Sequence, residues 1–227
     1  MSSFLDLSHY FPVENIRAGF SLRSFPFSPP RDRIELAHQL QLNSEGLVLP
    51  EQVHSGNVKI ITNPGKYHDT DGVITAEKSV VLSIQVADCI PLFFVDSVNK
   101  NTGLIHAGWR GITKNIIENG VNKIYELGTE KESLHVLIGP SIRECCYEVG
   151  PEVAKQFEEK NIRPGKGDRS FLDLLGVVEN KLISLGIPQK QITMMIECTQ
   201  CRAETYHSYR RDGEKSGRMI AMLGWRN

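Results

Sequence analysis

Between residues 58 and 107 the apolar positions fall in short runs: VKIIT, DGVIT, SVVLSIQVADC, PLFFVDS and GLIHAG. Each is rich in Val, Ile or Phe and bounded by turn residues, the pattern of β-strands. Strands this close in sequence cannot all be parallel neighbours, because a parallel pair needs a crossover of roughly a dozen residues or more. A mixed or antiparallel sheet follows. The period then lengthens over residues 112–127, where Ile112, Ile116, Val121, Ile124 and Leu127 fall on one helical face and Gly128 provides a stop.

Further along, LHVLIGP and QITMMIE read as strands, and MIAMLGW is a final apolar segment. PEVAKQFEEK predicts a helix with Pro151 at its first position. A second helix is expected over FLDLLGVVENKLISLGI, capped by Ser170, with a Leu174, Val178, Leu182 and Leu185 stripe ended by Gly186 and Pro188. Near the start, SFPFSPPRDR reads as loop and IELAHQLQL as a short helix; RDGEKSGR reads as a hairpin turn. No linker, repeat or low-complexity tract divides residues 1–227, so one domain is expected. Helices and strands mix without strict βαβ alternation, which favours an α+β fold with a mixed sheet over a doubly wound one.

Composition changes this picture little. With 40% hydrophobic and 23% charged residues, the chain is neither disordered nor fibrous. The formal net charge of −1 carries no basic excess of the kind that binds nucleic acid or anionic membrane. The most apolar run, CIPLFFV, is far shorter than the roughly 20 residues of a membrane span. The first residues show no basic region followed by an apolar stretch, so no signal peptide is expected. Five cysteines then suggest reduced thiols and a cytoplasmic setting, with no obligate protein partner evident.

Candidate chemistry sits in EQVHSGN with His54, VADCIPL with Cys89 and IHAGWRG with His106. One cysteine and two histidines suit a catalytic zinc, since three protein donors leave one tetrahedral position open. Their spacing matches no zinc-finger signature, and a buried thiol beside two backbone-bonded histidines is the competing reading. If residues 81–89 form one strand, Ser83, Gln85, Ala87 and Cys89 share a face. Alternatively Cys89 is a nucleophile with His106 as its base, a role incompatible with a thiolate held on metal.

The segments VHSGNV, DGVIT, ADCIPLFFVD, HAGWRG, IGPSIRECCYEVG and SYRRDG with GRM occur in one order along nearly the whole chain. In this the sequence resembles the YfiH-like, laccase-domain family, also called multi-copper polyphenol oxidoreductase or peptidoglycan editing factor. The resemblance implies a single-domain α/β sandwich with one zinc held by the His of QVH, the Cys of ADC and the His of HAGW. Those positions are His54, Cys89 and His106. Members usually carry STR-x-GG and GDD segments near the start; here FSLRSFPFSPPRDRIELAHQL keeps Arg23 but lacks both, and His207 replaces an aromatic residue before SYRR.

The family is linked to purine nucleoside phosphorolysis, adenosine deamination and phenol oxidation, with adenosine, inosine and methylthioadenosine as candidate substrates. A conventional multicopper oxidase needs roughly ten histidines; this chain has seven, with no His-x-His pair. Copper could occupy the His–Cys–His set, but a full copper relay is not encoded. Asp71 and Asp88 are the candidate proton carriers. Arg110, with the N–H groups of Gly111 and Ile112 at a helix start, is the candidate phosphate holder. Arg23 and Gln52 are further candidates for substrate contact. The expected reading is therefore a zinc enzyme acting on a purine nucleoside and phosphate, with a peptidoglycan-precursor amidase or copper-dependent polyphenol oxidase as alternatives. Cys145, Cys146, Cys198 and Cys201 could make a four-cysteine zinc site, but adjacent cysteines are awkward tetrahedral partners and packing is the expected role.

Overall fold

A computed structural model describes residues 2–26 and 28–226. Its centre is two stacked six-stranded sheets rather than one. The first sheet runs, in spatial order, Phe4–Asp6, Ile16–Ser21, Met219–Trp225, Val81–Val86, Leu47–Pro50, Gly65–Tyr67. The second runs Ile192–Met194, Leu134–Ile138, Ile90–Asp96, Thr102–Ala107, Gly72–Thr75, Val58–Ile60. Both mix parallel and antiparallel pairs, as the short connections required. A small three-stranded sheet of Glu148–Val149, Ser170–Leu172 and Ile162–Pro164 stands beside them.

The run PLFFVD explains the stacking. Every residue of the strand Ile90–Asp96 is buried, so the strand needs partners on both faces. Phe93 and Val95 point into the space between the sheets, against Leu82, Ile84, Leu104 and Leu223. Leu92 and Phe94 point the other way, against the helices Ile116–Glu126 and Leu174–Ser184, through Ile117, Val121, Ile124, Val178 and Leu182. Each such side chain contributes about 1.5–3 kcal/mol relative to exposure. The helix Arg31–Gln39 covers the outer face of the first sheet with Leu36 and Ala37. The layers are thus helix, sheet, sheet, helices: the α/β sandwich expected, with a second sheet that periodicity alone did not separate. A Cβ on Gly120 would collide with Ile105 Cδ1, so the helix Ile116–Glu126 seats against the sheet only with glycine there.

Several boundaries differ from expectation. The helix of residues 112–127 is two: Trp109–Ile112, then Ile116–Glu126, separated by Asn115 in the left-handed region at φ 63°. Asparagine tolerates that conformation better than most residues, and the reversal lets the first piece stay at the strand ends while the second crosses the sheet. Ser170 does not cap the later helix; it is paired in the small sheet, and Asp173 accepts from Gly176 N at 3.0 Å instead. Gly128 and Gly186, with φ of 83° and 89°, end their helices as expected. Only Pro151–Ala154 of PEVAKQFEEK is helical. RDGEKSGR is no hairpin: Tyr209–Asp212 is a helical turn capped by Ser208, followed by the tighter turn Gly213–Lys215. The helix Arg31–Gln39 begins inside the expected proline-rich loop. No helix among the described residues is long and apolar enough to cross a membrane.

Candidate metal centre

The chain leaves the first sheet at Val86 and enters the second at Ile90, so residues 87–89 bridge the two layers. Asp88 takes φ 85°, which breaks the two-residue alternation. Cys89 therefore does not share a face with Ser83 and Gln85; it packs against the core between the sheets. The left-handed Asp88 is held by its own carboxylate, which accepts from Thr199 Oγ1 at 2.6 Å, Ser208 Oγ at 3.0 Å and Arg210 N at 2.7 Å. Its carbonyl also accepts from Ile142 N at 3.0 Å. This carboxylate ties three segments together and has no bond toward either histidine.

His106 closes the strand Thr102–Ala107 opposite Pro91, with 4% of its surface exposed. His54 lies in the loop between Leu47–Pro50 and Val58–Ile60, at φ 58°. One buried carboxylate organises both. Asp71 Oδ1 accepts from His54 N at 3.0 Å and from His106 Nδ1 at 2.8 Å, while Oδ2 accepts from Val53 N, Ser55 N and Ser55 Oγ at 3.2, 2.7 and 2.7 Å. With Nδ1 donating to Asp71, His106 presents Nε2 toward Cys89 and His54. The two imidazole rings meet edge-on, 4.8 Å between centroids. The donor atoms of His54, Cys89 and His106 all lie within 4.8 Å of one another.

The electrostatics follow from this geometry. Burial works against the Asp71 charge, but the bonds from His106 and Ser55 outweigh it and hold the carboxyl well below its usual range. Its hydrogen bonds anchor the loop of His54 and the ring of His106. Burial likewise opposes the Cys89 thiolate, yet His106 and His54 bring the thiol down to about 6. Desolvation pulls His106 down, but Cys89 and Asp71 overcome it and raise the imidazole to about 9. Each group of the pair favours the charged form of the other.

A ligating histidine whose other nitrogen is fixed by a carboxylate is the arrangement metal sites favour. Gly108 supplies the space: a Cβ there would meet Cys89 Sγ at 2.8 Å and His54 Cδ2 at 3.3 Å. The donor set and this cradle fit a metal ion with an open fourth position.

The surrounding residues redistribute the other expected roles. Arg110 is exposed, its guanidinium stacked 4.5 Å over the Trp109 ring. Its helix has only one turn, and Ile112 N donates to Gly108 O, so that N–H is unavailable to phosphate. Gln52 faces inward to the first sheet: its amide donates to Gln85 O and accepts from Gln85 N, pinning the QVH loop. Arg23 donates to Ala203 O and lies 3.9 Å from Asp212, with no bond to the metal donors.

Tyr147 and Arg210 also stand out. Tyr147 is buried, and its hydroxyl feels the charges of Cys89, Arg210, Arg110 and Asp88; burial first, then the Cys89 thiolate, raises its pKa. Arg210 stacks on the Tyr147 ring at 5.2 Å. The signal was present in CCYEVG and SYRRDG, but only folding brings the two motifs together. A cavity of about 730 Å³, lined by Lys78, Lys100, Trp225 and Arg226 among others, contains none of these residues. Finally, the four remaining cysteines do not disperse into the core; their sulfurs gather in one group.

The fold is a layered α/β sandwich whose strand ends bring together a His–Cys–His group able to hold a metal, and comparison specifies the family. Residues 28–226 match the family described as multi-copper polyphenol oxidoreductase laccase, and the chain belongs to it. It is 30% identical to "Purine nucleoside phosphorylase YlmD" of Bacillus subtilis, over 94% of this chain and 83% of that protein. It is also 30% identical to "Adenosine deaminase RL5" of an unknown prokaryotic organism, over 82% of this chain and 78% of that one. The crystal structure of the Bacillus licheniformis hypothetical protein YfiH superposes with a TM-score of 0.89 at 26% identity, covering 99% of this chain and 97% of that one.

Proposed function

We propose that this chain is a zinc-dependent purine nucleoside phosphorylase that also deaminates adenosine at the same centre. The observation that carries the reading is the bond from His106 Nδ1 to Asp71, which leaves three convergent donors and one open position. The names of the relatives, a nucleoside phosphorylase and an adenosine deaminase, supply the substrate class. Bound there, zinc supplies Lewis acidity toward a nucleoside or toward water.

The chain's own residues do the rest. Phosphorolysis breaks the ribosyl C1′–N9 bond and forms C1′–O to phosphate, so an anion must be held beside the sugar. Arg110 and Arg210, both close enough to bear on the Tyr147 hydroxyl, are the groups for that anion, in place of Arg110 with Arg23. Trp109 and Tyr147, each stacked with one of these arginines, offer apolar faces for a purine. Asp71 orients His106 and His54, and Gln52 fixes the loop that carries His54.

The donor set argues against an oxidase with a copper relay. Of the histidines among the described residues only His54 and His106 enter a metal-competent group, too few for several coppers. One observation favours a second reading. Cys89, His106 and Asp71 are also ordered as nucleophile, base and orienting carboxylate, as in a cysteine hydrolase of amide bonds. His54 distinguishes the two, because it approaches the same thiolate and a nucleophile has no use for it.

Zinc-loaded protein incubated with adenosine and phosphate is expected to release adenine and ribose 1-phosphate, or inosine. Absence of all three products from fully loaded protein sinks the proposal. Rapid alkylation of Cys89 by iodoacetamide in the loaded protein, with turnover only after chelation, would support the hydrolase instead.

A further inference from the structure

Apart from Cys89, every cysteine of the chain lies in one place. Cys145 and Cys146 sit in a turn closed by Cys146 N and Tyr147 N, each donating to Arg143 O at 2.9 Å. Cys198 and Cys201, in the motif CTQC, sit in a second turn closed by Arg202 N to Cys198 O at 3.0 Å. The turns are joined by a β-bridge between Ser141 and Cys198 and by Thr199 N donating to Ser141 O at 3.0 Å. All four sulfurs lie within 4.8 Å of one another.

Their spacing selects the chemistry. The Sγ separations are 3.8 Å for Cys145–Cys146, 3.7 Å for Cys145–Cys201 and 3.3 Å for Cys146–Cys201. A disulfide needs about 2.05 Å. Four sulfurs arranged tetrahedrally around a zinc, each at about 2.3 Å, stand about 3.8 Å apart. Backbone N–H groups of Cys201, Arg143 and Gln200 point at the Cys198 sulfur. The guanidinium of Arg143, 8% exposed, lies beside the cluster, bonded to Ser141 Oγ at 2.7 Å and to Gly139 O at 3.1 Å, and its charge is felt by Cys198 and Cys145. It offsets the excess negative charge that four thiolates leave on a divalent ion. The adjacency of Cys145 and Cys146 is no obstacle, because the turn after Arg143 aims both sulfurs at Cys201.

We propose that Cys145, Cys146, Cys198 and Cys201 form a second, structural zinc site. Four protein donors close its coordination shell, so it offers no position for substrate. Binding exchanges the thiol protons for the metal and involves no redox step. Its effect is to staple the turns that carry Tyr147 and Thr199, the latter a donor to Asp88 beside Cys89. The second metal thereby holds one wall of the first centre.

The test is metal content of the full chain, purified without chelator and supplied with zinc chloride alone. The Cys198→Ser/Cys201→Ser variant is expected to hold one zinc per chain fewer than the parent and to melt at lower temperature. The His54→Ala/His106→Ala variant retains a zinc whose X-ray absorption shows sulfur neighbours only. Equal zinc content in the parent and the cysteine variant overturns the proposal, as does a disulfide among the four cysteines in freshly isolated protein. If the cysteine variant does not fold, cobalt titration of the parent decides. Thiolate-to-cobalt absorption beyond what Cys89 alone supplies supports the site, and absorption accounted for by Cys89 overturns it.

Discussion

The chain carries two sulfur-bearing centres built on opposite plans. The His–Cys–His group takes its donors from three places far apart in sequence, one of them the crossing between the sheets, and forms only when both sheets are in register. The four-cysteine group takes its donors from two local turns. The first keeps a carboxylate behind its histidine and has three donors, so one position is open. The second has four donors and none to spare. Donor count and the group behind each donor, not sulfur content, separate a centre fit for chemistry from one fit to staple.

The largest effect tests that contrast directly. Cys89→Ala removes the one anionic donor of the first centre, so its zinc and the phosphorolysis both fall to background. The Cys198→Ser/Cys201→Ser variant should lose thermal stability yet keep most of its turnover per folded molecule. Equal losses of kcat in the two variants would break the comparison.

Asp71→Asn comes next. It strips a buried charge from five hydrogen bonds, and breaking such a network costs about 3–5 kcal/mol of stability. Zinc affinity at the first centre should drop about 10–100-fold. Denaturant melts and competition with a chromophoric chelator check both figures. The sign with pH is defined: the folded carboxyl lies below its unfolded value of about 3.9. Its contribution is complete above that pH and is lost as pH falls through the folded value. Acid unfolding of the parent below about pH 4 should be steeper than that of the Asp71→Asn variant. Identical slopes would remove Asp71 from this role.

Gly108→Ala is a gentler probe of the cradle. The new methyl meets Cys89 Sγ at 2.8 Å, so overpacking should cost about 1–3 kcal/mol, seen as weaker zinc binding. Zinc affinity equal to the parent's would show that the loop yields freely. The smallest effects are expected at the arginines. Arg110→Ala and Arg210→Ala should each raise the phosphate KM roughly tenfold, the loss of about one charge-assisted hydrogen bond. Arg23→Ala should leave that KM nearly unchanged; a larger effect at Arg23 would move the anion site.

Much of this was legible in the chain, unevenly. Ile117, Val121 and Ile124, with Gly128 behind them, form a helix because their neighbours three and four positions away decide that locally. Asn115 interrupts the pattern for a reason no local rule contains: the sheet face lies elsewhere. The strand SVVLSIQVADC looked continuous, yet it ends at Val86 because the chain changes sheets there. Ser170 and Asp173 are both plausible caps, and the pairing of Ser170 in the small sheet leaves the task to Asp173. At the site, the three donors were readable through family motifs, whereas their spacing left a buried-thiol reading open. Asp71 and Asp88 are each a short carboxylate beside a reactive residue, and only the partners of their oxygens reveal that both anchor the loops around the centre. Tyr147 and Arg210 come from different motifs, and only folding stacks one on the other.

Local sequence was enough for the α+β class, the short apolar runs that become strands, and the residue types able to hold a metal. These follow from composition and short-range periodicity, which act before the chain is folded. Tertiary structure decided that the strands divide into two sheets and that Asp88 turns left-handed to carry Cys89 between them. It decided that one buried carboxylate aims two histidines, and that four thiols dispersed in sequence share one point. Each depends on contacts between segments far apart along the chain, where distance and shielding from water, not sequence spacing, set the energy.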